Sequence, residues 1–213
     1  MTSEKMTVHK ALAELKLLDD RILKAIKSTE YCIANKHSND KIRGVSVEEY
    51  SKQMQGGYDK AVDLIERRKS IKRAVVLSNA VTKVKIAGKE YTVAEAIEMK
   101  NHGIDFDGTL MEAMRKNYNL AMAVIKEQNG KELEERADQY VTAIYGQKEG
   151  KTNTADIEKV KEDFLKSNQF ELVDPLSVLD KINSLEEKIS DFMAEVDAAL
   201  SVSNALTEIE VNY

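Results

Sequence analysis

The chain of 213 residues has no tryptophan, one proline, one cysteine and only nine glycines. So few turn formers and helix breakers exclude a sandwich or barrel, whose many short strands need Gly- and Pro-rich connections. The lone Cys32 cannot close an internal disulfide; it is expected at a core position of a helical pattern, as a small apolar filler in a reducing cytoplasm. No run of 18 apolar residues exists to cross a bilayer, and Met1 to Thr7 lacks the greasy stretch of a signal peptide, so a cytoplasmic protein with no membrane contact is expected. The three histidines, His9, His37 and His102, fall in separate regions without metal-ligand spacing. Neither a Ser-His-Asp nor a Cys-His set can be assembled, so no catalytic residue, metal or cofactor is expected and the chain is read as non-enzymatic.

Charge is what the sequence has in quantity: 32% of residues are Asp, Glu, Lys or Arg, against 42% hydrophobic, a balance typical of long amphipathic helices with enough apolar mass for a core. The net charge of -5 is spread unevenly. From Lys60 to Lys89 nine basic residues meet two acidic ones, whereas from Thr154 onward fourteen acidic residues meet five lysines. Such asymmetry points either to an anionic partner for the first region or to mutual neutralisation of the two.

Periodicity fixes the helices. Val8, Ala11, Leu15, Leu18, Ile22, Ala25, Thr29 and Cys32 follow one another at alternating steps of three and four, a heptad seam widened by Leu12, Ile26 and Ile33. Ser46-x-x-Glu49 is a capping box opening a second helix to about Leu77, with Val47, Tyr50, Met54, Tyr58, Ala61 and Ile65 as its stripe. Thr92-x-x-Glu95 opens a third, with Gly103 as its expected stop. A long helix then turns Leu110, Met114, Ala121, Val124 and Ile125 inward, followed by Leu133, Ala137, Tyr140, Val141 and Ile144; it is capped by Asp107 or Thr109 and either breaks or shifts register at Asn129-Gly130. A short helix near Ala155 to Ser167 and a last one, started by Asp174-Pro175 and ending near Val202, complete the set. Two motif fragments fail. Asp105-Phe106-Asp107-Gly108 lacks the later ligands of a calcium loop, and Gly146 with Gly150-Lys151-Thr152 is one residue short of a phosphate loop.

One internal repeat stands out. Ser78-Asn79-Ala80-Val81-Thr82-Lys83-Val84-Lys85-Ile86 returns as Ser203-Asn204-Ala205-Leu206-Thr207-Glu208-Ile209-Glu210-Val211, with lysines exchanged for glutamates. Alternation of aliphatic and charged residues reads as a strand with one apolar face, and the opposite charges predict that the copies pair with each other. Ala87-Gly88 is expected to turn the first copy into a return strand, Lys89 to Tyr91. The expected fold is mainly α: an antiparallel, coiled-coil-like bundle of long helices with a small β-sheet or hairpin from segments 81–91 and 206–211. A single domain over 1–213 is expected, with a flexible loop at about 146–153.

Several segments carry a family likeness: Lys10-Ala11-Leu12-Ala13-Glu14-Leu15 with Asp20-Arg21-Ile22, Asn79-Ala80-Val81-Thr82 with Gly88 and Thr92-Val93-Ala94-Glu95-Ala96, and Val173-Asp174-Pro175 through Ser203-Asn204-Ala205-Leu206-Thr207-Glu208. In these the chain resembles the septicolysin-like family of small helical bacterial proteins, which has phage relatives and no characterised biochemical role. Ala205 stands where that family usually has tryptophan, and its run of arginines in the central helix is missing. The resemblance implies the helical fold and a homo-oligomer, and it transfers no catalytic residue.

The candidate site is the basic block on the second helix. Arg68 or Lys69 and Lys72 fall on one helical face with Arg73 at its border, just before Asn79, and Tyr58 or Tyr91 could stack on a base. Brought together by symmetry, such faces would form a positive pocket for an anionic, nucleotide-like small molecule, which in a phage setting suits sequestration of a host defence signal. The alternative is a structural or protein-protein interaction module with no small-molecule ligand. Duplex DNA is not an expected partner, because the overall charge is negative and no nucleic-acid motif is present.

Overall fold

The computed structural model describes residues 3–146 and 154–212. Strand β1 (Ser3–Thr7) leads directly into helix α1 (Val8–Ser28), and a coil reaches the short hairpin of β2 (Lys41–Ile42) and β3 (Val45–Ser46). Helix α2 (Val47–Val81) is followed by the hairpin β4 (Lys83–Ile86) and β5 (Lys89–Thr92), helix α3 (Val93–Glu98) and a π-helical turn (Met99–Gly103). Then come α4 (Ile104–Gln128), α5 (Lys131–Tyr145), α6 (Thr154–Asn168), α7 (Val178–Leu206) and strand β6 (Glu208–Asn212). The fold is therefore mainly α with small antiparallel two-stranded sheets.

The chain divides into two compact units: residues 1–103 with 191–213, and residues 104–190. In the first unit the heptad seam becomes the buried face of α1, with Val8, Ala11, Leu15, Leu18, Ile22 and Ala25 all inside. All but Ala25 pack with Ile71 and Val75 of α2 and with Met6, Ile209 and Val211 of the strands. Complete burial of a side chain such as Leu18 or Ile71 is worth about 1.5–3 kcal/mol, so this cluster is the main source of the unit's stability. The seam stops short of its predicted end. α1 finishes at Ser28, leaving Cys32 exposed in coil instead of in a core.

The pairing of the strands corrects the sequence expectation. The two look-alike segments do not pair with each other: β4 pairs with β5, and β6 pairs with β1. The alternation itself is as predicted, with Val84 and Ile86 buried beside exposed Lys83 and Lys85, and Ile209 and Val211 buried beside exposed Glu208 and Glu210. Opposite charges also meet, but with other partners. Lys85 lies opposite Glu90, and Glu210 opposite Lys5. A two-residue turn closes β4 onto β5 at little entropic cost, so the local partner wins over one more than a hundred residues away.

This arrangement reveals that the repeat extends further than nine residues. Ser78 to Val81 and Ser203 to Leu206 are both helix ends, and each strand begins after the following threonine. The partner strands end in Thr92 and Thr7, and each is an N-cap followed by valine, Val93 and Val8. The valine amide donates to the carbonyl just before the first strand in both: Val93 N to Thr82 O at 2.8 Å, Val8 N to Thr207 O at 2.9 Å. The β2–β3 hairpin is a third version, where Ser46 is the N-cap and Val47 N donates to Asp40 O at 3.4 Å. Its turn residues Arg43 and Gly44 have φ of 49° and 88°, and Ala87 and Gly88 have 48° and 75°, the two left-handed residues of a type I′ turn. In the β1–β6 version the two strands pair in the same register without a turn between them among the described residues.

Cap geometry explains the helix starts. Thr7, Ser46 and Thr92 each accept the amide three residues on at 3.2 Å, and only Thr92 has the full reciprocal box with Glu95. Gly103 is not a stop, because the chain remains helical through the π turn and α4 starts at Ile104. Asp105 to Gly108 therefore belong to α4 and form no loop, and neither Asp107 nor Thr109 is its cap.

In the second unit α4 ends at Gln128 and α5 restarts at Lys131, with Gly130 as N-cap. The Asn129 side chain holds the break: its Nδ2 donates to Phe170 O and its Oδ1 accepts Phe170 N, both at 2.8 Å. α5 and α6 pack through Leu133, Ala137 and the ring pair Tyr140–Phe164, with centroids 4.7 Å apart. Asp174 caps a turn before α7, accepting Val178 N at 2.8 Å, so that helix starts later than Pro175 and ends later than Val202. Most of the loop expected at 146–153, with Gly150-Lys151-Thr152, lies outside the described residues.

Candidate functional site

The basic block does not form one open cationic face. Arg67 Nε contacts Glu14 Oε1 at 2.5 Å and its Nη2 contacts Glu4 Oε2 at 3.0 Å, joining α2 to α1 and β1. Arg68 Nε reaches Asp19 at 2.5 Å, and Lys69 reaches Glu66 at 2.6 Å. The neutralising carboxylates thus come from the first helix and strand and from α2 itself, and not from the acidic last helix. Lys72 and Arg73 are exposed and make no ion pair among the described residues. Asn79 is half-buried in the last turn of α2. Tyr91 packs its ring edge-on against Phe192 of α7 at 5.7 Å, a core contact that occupies it.

A better-defined concavity lies between β4 and the C-terminal half of α7, within the first unit. It has a volume of about 650 Å³. The strand contributes Lys83 and Lys85, which alternation places together on the outward face. The helix contributes a floor of small residues, Ala194, Ala198 and Ala199, with Val202 and Leu206 at one end and the hydroxyls of Ser203 and Thr207. Val202 and Leu206 keep 58% and 77% of their surface, so the greasy wall is open to solvent.

Two contacts fix the strand against the helix. Glu195 Oε2 accepts the Ala87 amide at 2.6 Å, anchoring the I′ turn, and Lys100 of the π turn reaches Asp197 at 2.5 Å. Lys83 also contacts Glu90 of β5 at 2.7 Å, and that carboxylate raises the ammonium's pKa, keeping it charged throughout the neutral range. Both side chains of that pair are more than half exposed, so an incoming anion can compete for Lys83.

Sequence reasoning placed Lys83 and Lys85 in the basic region but assigned them to strand pairing, and so missed the groove. The signal was available: both residues sit at strand positions whose apolar neighbours are buried, which leaves the ammonium groups facing out. Among the described residues no group of three or more His, Cys, Asp or Glu side chains could hold a metal ion, and no helix is long and apolar enough to cross a membrane. The chain matches no protein-family model, no curated protein and no solved structure.

Proposed function

We propose that the protein is a non-enzymatic, self-associating helical binding protein that captures an anionic, nucleotide-like small molecule. The resemblance to the septicolysin-like family supports the self-association, and the groove at Lys83 and Lys85 carries the ligand reading. Two ammonium groups beside an alanine-floored helix face, with the one lining carboxylate, Glu195, engaged by the Ala87 amide, suit a ligand with a phosphate at one end and a flat apolar body at the other. Arg68 and Lys69 are secondary on this reading, because carboxylates already neutralise them. Sequestration of a host defence signal would be the use of such a site if the chain is phage-encoded.

Native mass spectrometry of the purified protein, followed by titration with a nucleotide panel, tests this. Binding is expected to fall at least tenfold in Lys83→Glu/Lys85→Glu and to change less than twofold in Arg68→Glu. No mass shift with any nucleotide would sink the proposal. A second reading, a protein-interaction module, is favoured by the bare Val202 and Leu206 at the groove's end. It would be supported if a defined protein partner binds and Val202→Glu/Leu206→Glu abolishes that binding while nucleotides leave it untouched.

A further inference from the structure

Helix α4 has two apolar stripes, and only one of them is used. Its inner face, with Met111, Met114, Tyr118, Ala121 and Ile125, is half-buried within the second unit, where Lys188 of α7 contacts Asp107 at 2.5 Å and Arg115 contacts Glu186 at 3.1 Å. On the outer face Phe106, Leu110, Ala113, Asn117, Leu120 and Val124 follow at alternating steps of four and three. This is a heptad seam, with Phe106, Ala113 and Leu120 at d and Leu110, Asn117 and Val124 at a. All six residues are exposed, Phe106 at 77%, Leu110 at 49%, Leu120 at 55% and Val124 at 46%, which corrects the inward placement expected for Leu110 and Val124. The two stripes are one residue, about 100°, apart, so together they make one broad apolar face of which only one side is covered.

We propose that the outer face of α4 pairs with the same face of a second copy as a parallel, in-register two-stranded coiled coil. The parallel sense follows from Asn117. In register, Asn117 meets Asn117 of the second copy, and the two amides satisfy each other at the cost of some stability while fixing register and strand number. An antiparallel pair would set each Asn117 amide against Ala113 with no polar partner and would bring the two Lys116 ammonium groups together. At the C-terminal end of the seam Val124 at a and Leu120 at d add a preference for two strands. This inference rests on the self-association proposed above and on no ligand; an oligomer whose mass the double variant leaves unchanged would overturn the pairing alone.

Light scattering and oxidative cross-linking test it directly. The wild type is expected to have an even number of chains, and Leu110→Glu/Leu120→Glu half that number with unchanged far-UV circular dichroism, because both side chains are bare in the single chain. In a Cys32→Ala background, Asn117→Cys is expected to cross-link to completion with one copy on mild oxidation. A wild-type monomer at micromolar concentration, or a double variant of unchanged mass, would overturn the pairing. Failure of Asn117→Cys to cross-link in a protein that remains a dimer would overturn its parallel sense. Should the glutamate variant not fold, the wild-type mass and the cross-link still decide.

Discussion

Tyr50 shows how much one side chain can hold in place. It is buried at the start of α2, and its hydroxyl donates to Glu30, which also receives Arg43 Nη2 at 2.6 Å. Three segments are joined at that carboxylate: the coil after α1, the β2–β3 turn and α2. The Tyr50 hydrogen bond, then Arg43, lowers the Glu30 pKa below its ordinary 4.5, and Glu30 raises that of Tyr50 above 10.0. Lowered, Glu30 contributes stability that is present above about 4.5 and lost as pH falls through its folded value. Raised, Tyr50 contributes stability that is present below about 10.0 and lost as pH rises through its folded value. Tyr50→Phe is therefore expected to destabilise most at neutral pH. In urea titrations at pH 3, 7 and 11 the gap between wild type and variant should be widest at pH 7 and shrink at both extremes. A gap independent of pH would show that the hydroxyl acts through packing alone. None of this could be read from sequence, because Glu30 falls inside the seam expected to continue to Cys32, where a glutamate reads as a solvated helix flank, and Tyr50 looked like one more stripe residue.

At the scale of elements, the long-period signals were legible and the pairings were not. The α1 seam from Val8 to Ala25, the Ser46 and Thr92 N-caps and the Ala87-Gly88 turn are local patterns whose physics is contained within a few residues and are found where they were read, whereas the seam's end at Thr29 and Cys32 and its flank of Leu12, Ile26 and Ile33 are not buried. Strand partners are a global choice. Charge complementarity between the lysine and glutamate copies was a sound reason to pair them, but Glu90 and Lys5 offer the same charges closer to hand or on a strand already tied to the α1 core. The missed strand β1 also had a signal. Thr7-Val8-His9-Lys10-Ala11 matches Thr92-Val93-Ala94-Glu95-Ala96 at threonine, valine and alanine, and so marks the same strand-to-helix junction. The groove was missed for the same reason, since it exists only once β4 is packed beside α7. A double-mutant cycle separates the two accounts. Lys5 and Glu210 are expected to couple by about 0.2–1 kcal/mol, while Lys85 and Glu210 should show no coupling within error. Measurable coupling between Lys85 and Glu210 would restore the pairing of the two copies.

For the whole molecule, the three versions of the strand–strand–cap junction say that β1 and β6 form a hairpin whose turn is missing. The register makes the comparison exact enough to design with. Val211 faces Glu4 as Ile86 faces Lys89, so Asn212 and Ser3 stand where Ala87 and Gly88 stand in the intact hairpin. Joining Asn212 to Glu4 through one glycine, with residues 1–3 and 213 removed, would place Asn-Gly in the two turn positions, the pair that type I′ geometry favours. The native fold would then need no rearrangement, while the unfolded chain would lose the freedom of its ends. In the chain-entropy model a closed loop of this size removes about 5 kcal/mol from the unfolded state's advantage, and strain commonly reduces what is realised. The cyclised protein is expected to unfold several degrees above the linear one, with the same far-UV circular dichroism and the same midpoint shift in urea. A circular chain that melts at or below the linear one would mean that Asn212 and Ser3 are not turn-length neighbours. The reading of the terminal strands as a third copy of the junction would then be wrong, whatever the groove or the α4 seam does.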